Sequence, residues 1–187
     1  EDNMATAKSV EVTKLDTTPR TILEAGSGQG KMRVFQDTIA AGTGDIDNND
    51  VIMFAEVPSN AKIVSILVYN DDLDSGGSPS LTSNVGLYNG ATKFTDTDES
   101  STSYAAEGVI DEDCYATAIT TLQAANTAGV ELAYEVRNIN AVANFVWEDG
   151  GLTSDPSVPL RLAFTISADA ATAAAGDITT VVTYVVD

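Results

Sequence analysis

The sequence predicts an all-β protein: a two-sheet antiparallel β-sandwich, jelly-roll-like or Ig-like, with an extended N-terminal arm. Three observations carry that reading. Short segments rich in valine, isoleucine, threonine and tyrosine alternate apolar with polar residues at a period of two. Between them lie clusters of glycine, asparagine, aspartate and serine of the kind that turn a chain back on itself. Hydrophobic residues make up 43% of the 187 positions but aromatic ones only 6%, which suits a core of small and β-branched side chains better than a helical bundle.

Residues 1–30 form an arm or edge strand, and residues 31–187 the sandwich domain. In the arm, Val10 and Val12 alternate with Glu11 and Thr13 as in a short extended segment, and Gly26-Ser27-Gly28-Gln29-Gly30 makes a flexible joint. Residues 31–40 read as a half-exposed strand with Met32, Val34 and Ile39 as its apolar positions, followed by a loop over 42–49. Residues 50–72 hold the densest apolar run and read as two adjoining central strands around a turn at Pro58-Ser59-Asn60. In the first of these, Val51, Met53, Ala55 and Val57 line one face and Ile52 and Phe54 the other, the pattern of an inner strand buried on both sides. A surface loop follows over 71–80.

Val85-Gly86-Leu87-Tyr88 is a short strand closed by Asn89-Gly90, a hairpin signal whose return falls on residues 92–94. Ala118, Leu122 and Ala125 sit at helical spacing ahead of Gly129 and predict one short helix. Leu132, Tyr134 and Val136 alternate through a strand over 131–137, and Val142, Phe145, Val146 and Trp147 fill another over 141–147. Leu160, Leu162, Phe164 and Ile166 share one face of a cleanly alternating strand. Residues 178–186 form a last β-branched strand, with Ile178, Thr180, Val182, Tyr184 and Val186 on one face. About eight to ten strands result, with no internal repeat.

The net charge of −19 is unevenly distributed. Residues 1–33 carry five acids and five bases, whereas residues 34–187 carry 23 acids against four bases, Lys62, Lys93, Arg137 and Arg161. Such a field repels phosphate backbones and anionic lipid, so neither a nucleic-acid nor a membrane partner is expected. It complements a basic protein surface. No apolar run is long enough to span a bilayer, and no apolar leader precedes Met4-Ala5-Thr6-Ala7-Lys8, which reads as a natural start.

The chemistry-bearing residues are few. With no histidine, the Ser-His-Asp and Cys-His systems and histidine metal sites are excluded. Cys114 is the single cysteine, so no intrachain disulfide forms, and its acidic flanks disfavour a thiolate. Gly26 to Lys31 resembles a phosphate loop but is one residue short and is followed by Met32 rather than serine or threonine. Asp45, Asp47, Asn49 and Glu56 fall at the first, third, fifth and twelfth positions of an EF-hand loop. Asp50 stands where that loop needs glycine, and residues 51–57 read as a strand, so a solvated acidic turn is the expectation. A structural calcium ion helped by Asp71, Asp72 or Asp74 is the other option. Trp147 with Tyr134 or Tyr115 would make a sugar-stacking platform, though a tryptophan ending an apolar strand is more often core or subunit contact. No catalytic residue, cofactor or metal ligand is assigned, and the chain is not read as an enzyme.

Residues 50–71, DVIMFAEVPSNAKIVSILVYND, followed by Asn84-Val85-Gly86-Leu87-Tyr88-Asn89-Gly90, resemble a pattern in small structural proteins of tailed bacteriophages, marine-phage type. The closing segment LRLAFTISADAATAAAGDITTVVTYVVD is similar to the last hairpin of the same proteins. They serve as head decoration (cement) or minor capsid components. The resemblance implies a jelly-roll-like sandwich on the outer surface of an icosahedral capsid, bridging subunits of the major capsid protein, as a homo-oligomer with a trimer favoured. The arm would carry part of that contact through Lys8, Val10, Val12, Lys14, Arg20, Lys31 and Arg33, its bases pairing with shell carboxylates. The alternative is a carbohydrate-binding adhesin, tail-fibre or spike module, with calcium dependence as an option.

Overall fold

A computed structural model describes residues 9–19, 21, 30–90 and 108–186. Its helix α1 spans Val10–Leu15, and eight strands follow: β1 (Lys31–Ala41), β2 (Val51–Val57), β3 (Lys62–Asn70), β4 (Thr82–Asn89), β5 (Val109–Ile119), β6 (Asn126–Glu131), β7 (Leu160–Ala168) and β8 (Gly176–Val186). A short helix, α2 (Val146–Asp149), lies between β6 and β7. The strands form two four-stranded antiparallel sheets in the orders β1-β8-β3-β6 and β2-β7-β4-β5. Among the described strands, only β4 and β5 are both consecutive in order and hydrogen-bonded; every other connection passes to the opposite sheet. This is a jelly roll.

The alternation read in the sequence puts the core between the sheets. Ile63, Ile66 and Val68 of β3 with Ile178 and Val182 of β8 face Val85 and Leu87 of β4, Leu162, Phe164 and Ile166 of β7, and Ile52 and Phe54 of β2. Phe54 and Phe164 meet at a centroid distance of 4.9 Å with rings tilted by 45°. β1 and β3 flank β8, which places the last strand in the middle of the first sheet.

The central stretch differs from its expectation. β2 and β3 are not adjoining strands: β2 is an edge of one sheet and β3 an inner strand of the other. Residues 58–60 turn the corner between them. The two apolar faces of β2 come from a bulge, because the register slips between Met53 and Ala55. Ile52 and Phe54 point inward before the slip, and Ala55 and Val57 after it. The corner is held by α2, whose first amides donate outward, Val146 N to Ala61 O at 2.8 Å and Trp147 N to Ser59 O at 3.2 Å.

Four further expectations are corrected. Val10 and Val12 lie in α1 rather than in an extended segment, because Ser9 caps that helix by accepting from the Val12 amide at 3.3 Å. The helix expected around Ala118, Leu122 and Ala125 is only a 3-10 turn over Thr121–Gln123. Ala118 has φ 48° at the end of β5, and the Thr121 and Ala124 carbonyls are taken by the Asn70 side chain at 3.2 and 3.0 Å. The strand expected over 131–137 stops at Glu131, whose carboxylate replaces the ladder by accepting from the Ile66 and Ala133 amides at 2.8 and 2.9 Å. The strand expected over 141–147 is instead a 3-10 turn at Ile139–Ala141 and then α2, which Glu148 caps by accepting from the Phe145 amide at 2.8 Å. The hairpin return over 92–94 lies outside the described residues.

Candidate interaction surface

The acidic chemistry of the sequence is structural wherever it is buried. Asp74, fully buried, accepts from the Ser80, Leu81 and Ala171 amides through Oδ2 and from the Thr172 amide through Oδ1, at 2.7 to 3.0 Å. Burial opposes its ionisation, but the four amides outweigh it and hold the carboxyl well below the usual range. With both oxygens taken, Asp74 joins the 71–80 loop to the 169–175 loop and is not a free cation ligand. The EF-hand-like positions also come apart. Asp45 accepts from the Gly42 amide and Asp50 from the Asp47 amide, each at 2.7 Å, so they close a turn. Glu56 is carried down β2 to Arg161, 3.1 Å away. Among the described residues, no group of three or more acidic, cysteine or histidine side chains is placed to hold a metal ion.

The other buried polar centre is built on Arg137. Its guanidinium contacts Asp149 at 2.7 Å, donates to the Ile63 carbonyl at 3.1 Å and lies over the Tyr115 and Tyr134 rings at 5.5 and 5.8 Å. The Tyr115 hydroxyl donates to Asp149 at 2.9 Å, and the Tyr134 hydroxyl to the Val64 carbonyl at 2.6 Å. Burial raises the Asp149 carboxyl to about 6 despite Arg137 and Tyr115. Tyr115 is wholly buried and its hydroxyl is engaged by Asp149, so it offers no face for the alternative of a sugar platform with Trp147. Trp147 is half-buried against the core. Burial also pushes the Cys114 thiol well up, with Asp111, Asp149 and Asp113 adding to the effect, so its thiolate is disfavoured.

The described surface includes two open recesses. One, of about 270 Å³, lies between Ile39, Asp45 and residues 51–53; the other, of about 300 Å³, is lined by polar groups of Tyr69, Asp71, Asn126 and Asp177. Neither gathers converging catalytic groups.

What stands out instead is β1. Phe35 and Ile39 pack inward against the core, while Met32 and Val34 point outward and are 66% and 59% exposed. Of the contact residues expected from the sequence, Lys31 and Arg33 lie here, both exposed. Val12 is 45% exposed on α1, and Lys14 lies in its last turn. Lys8 and Arg20 lie outside the described residues, and for Val10 only the backbone is described. Alternation in the sequence locates this half-exposed strand with Met32, Val34 and Ile39 as its apolar positions; of these only Ile39 packs inward, together with Phe35 on the same parity.

No protein-family model matches the chain, and no curated protein does. Two solved chains share its fold. One belongs to the cyanophage Pam1 capsid asymmetric unit, with a TM-score of 0.56 and 20% identity over 92% of this chain and 97% of that one. The other belongs to the capsid of Ralstonia phage GP4, with a TM-score of 0.57 and 21% identity over 86% of each chain. At this identity the likeness is one of fold.

Proposed function

We propose that this chain is a non-enzymatic structural protein of a bacteriophage virion, a decoration or cement protein that stabilises the icosahedral shell by bridging subunits of the major capsid protein. The observation that carries the reading is the eight-stranded jelly roll, shared over most of both lengths with two chains from phage capsids. The chemistry is compatible with it: Asp74 and the Arg137–Asp149 pair are consumed within the fold, and the two recesses described above gather no catalytic groups. The acidic body faces the medium on the outer surface of the capsid. Residues 1–30, with Lys8, Val10, Val12, Lys14 and Arg20, and Lys31 and Arg33 at the start of β1, make the shell contact. A homo-oligomer, with a trimer favoured by the resemblance, belongs to the same reading.

Shell binding tests it. Particles stripped of the protein should recover it from solution at full occupancy, and a chain of residues 31–187, shown to be folded by circular dichroism, should fail to bind. Equal occupancy by the truncated chain removes the arm from the account. Absence of binding by the full chain removes the decoration role.

A further inference from the structure

Among the described residues, four strands stand at sheet edges, β1 and β6 in one sheet and β2 and β5 in the other. An open edge presents unpaired amides and carbonyls to any other strand, and native proteins blunt it with shortness or bulges. Three of the four are blunted. β6 has six residues and a slip between Val68 and Asn70 on its partner. β2 is bulged, and the β4–β5 pairing slips three times, between Ser83/Val85, Val85/Leu87 and Leu87/Tyr88. β1 is not blunted: its 11 residues pair with β8 in unbroken register from Lys31↔Val186 to Ala41↔Gly176.

The open side of β1 is also self-complementary. Thr38 donates its amide to the Asp37 carboxylate at 2.8 Å, so that amide lies off the ladder with β8. Amides alternate along a strand, which puts those of Met32, Val34 and Gln36 on the same open side. Among the described residues, Arg33 and Asp37 have no ion-pair partner. Two copies of β1 laid antiparallel and centred on Phe35 set Arg33 of each against Asp37 of the other. That happens twice, at non-hydrogen-bonded positions where side chains approach most closely. Val34 then exchanges backbone hydrogen bonds with Gln36 of the second copy, and the Thr38 carbonyl accepts from Met32 of that copy while the Thr38 amide stays on Asp37.

We propose that β1 is a homodimer interface, pairing with β1 of a second copy of this chain about a two-fold axis through Phe35 to make one continuous eight-stranded sheet. Such a contact is isologous, so it closes as a dimer and covers the edge from Lys31 to Ile39. It rests on geometry separate from the virion reading, and it replaces that reading's trimer with a dimer. It moves Arg33 from the shell contact to the partner copy and leaves the rest of the arm free for the shell.

Sedimentation of the purified full chain tests it without any particle. The wild type should run as a dimer. Arg33→Glu and Asp37→Arg each oppose like charges twice and should weaken the dimer by about tenfold or more. The double variant Arg33→Asp/Asp37→Arg restores the opposition and should return the dimer, with all variants matching the wild-type circular dichroism. A monomeric or trimeric wild type overturns the proposal, as does a dimer that ignores both single reversals or is not recovered by the double exchange.

Discussion

Arg137 and Asp149 meet at 2.7 Å inside the sandwich, each with 2% of its side chain exposed. The pair fastens three stretches that share no sheet pairing with one another: residues 132–138, α2 and, through Tyr115, strand β5. Ile63 O completes the site from β3, so residues 132–149 are pinned by polar contacts rather than by a ladder.

Removing one partner leaves a buried charge uncompensated, so Arg137→Ala should lower the unfolding free energy by roughly 3–5 kcal/mol. Arg137→Met combined with Asp149→Leu removes both charges and should recover most of that loss. Urea titrations of the three proteins check this, and a loss confined to a few tenths of a kcal/mol would show the site to be solvated.

Two carboxyls should shape acid stability with opposite signs. Asp149 titrates near 6 in the fold, above an unfolded value of about 3.9. The folded state therefore holds an extra proton between those values, and this contribution is full below about 4 and lost as pH rises through about 6. Asp74 is held below its unfolded value, so its contribution is present above about 3.9 and lost as pH falls further. Asp149→Asn should flatten the stability profile between about 4 and 6, and Asp74→Asn should flatten it below about 4. Unfolding free energies at closely spaced pH values check both; slopes equal to wild type in either variant contradict the corresponding assignment.

Core and edge should respond very differently. Phe164→Ala empties the contact with Phe54 and should cost about 3–5 kcal/mol. Val34→Thr on exposed β1 should stay within about 0.5 kcal/mol. Thermal melts at a concentration low enough to hold the protein monomeric separate the two.

Metal removal should be silent for the described acidic turns. Both Asp74 oxygens are occupied by amides and Glu56 is engaged by Arg161, so a chelator should leave the melting temperature unchanged. A drop restored by calcium would place an ion that these contacts do not anticipate.

What was legible in the sequence was what period-two alternation encodes: β1, β7 and β8, the inward parity of β8 and the all-β class. What was not legible depends on distant partners. The slip between Met53 and Ala55 made an edge strand look buried on both faces. The Glu131 carboxylate ended a strand whose pattern continued to Val136. Trp147 belongs to a helix set by the Glu148 cap, three residues after Phe145, a local signal overshadowed by the apolar run. Lys31 and Arg33 are exposed on the edge strand β1, but that its register is unbroken while those of the other edges slip depends on distant partners.

The most direct test of the account is a cryo-electron microscopy reconstruction of the particle that contains this chain. The account requires a jelly roll of two four-stranded sheets on the outer surface of the shell, touching more than one major capsid subunit through the segment before β1. A shell with no such density, or the same jelly roll found only on a tail fibre, would contradict it.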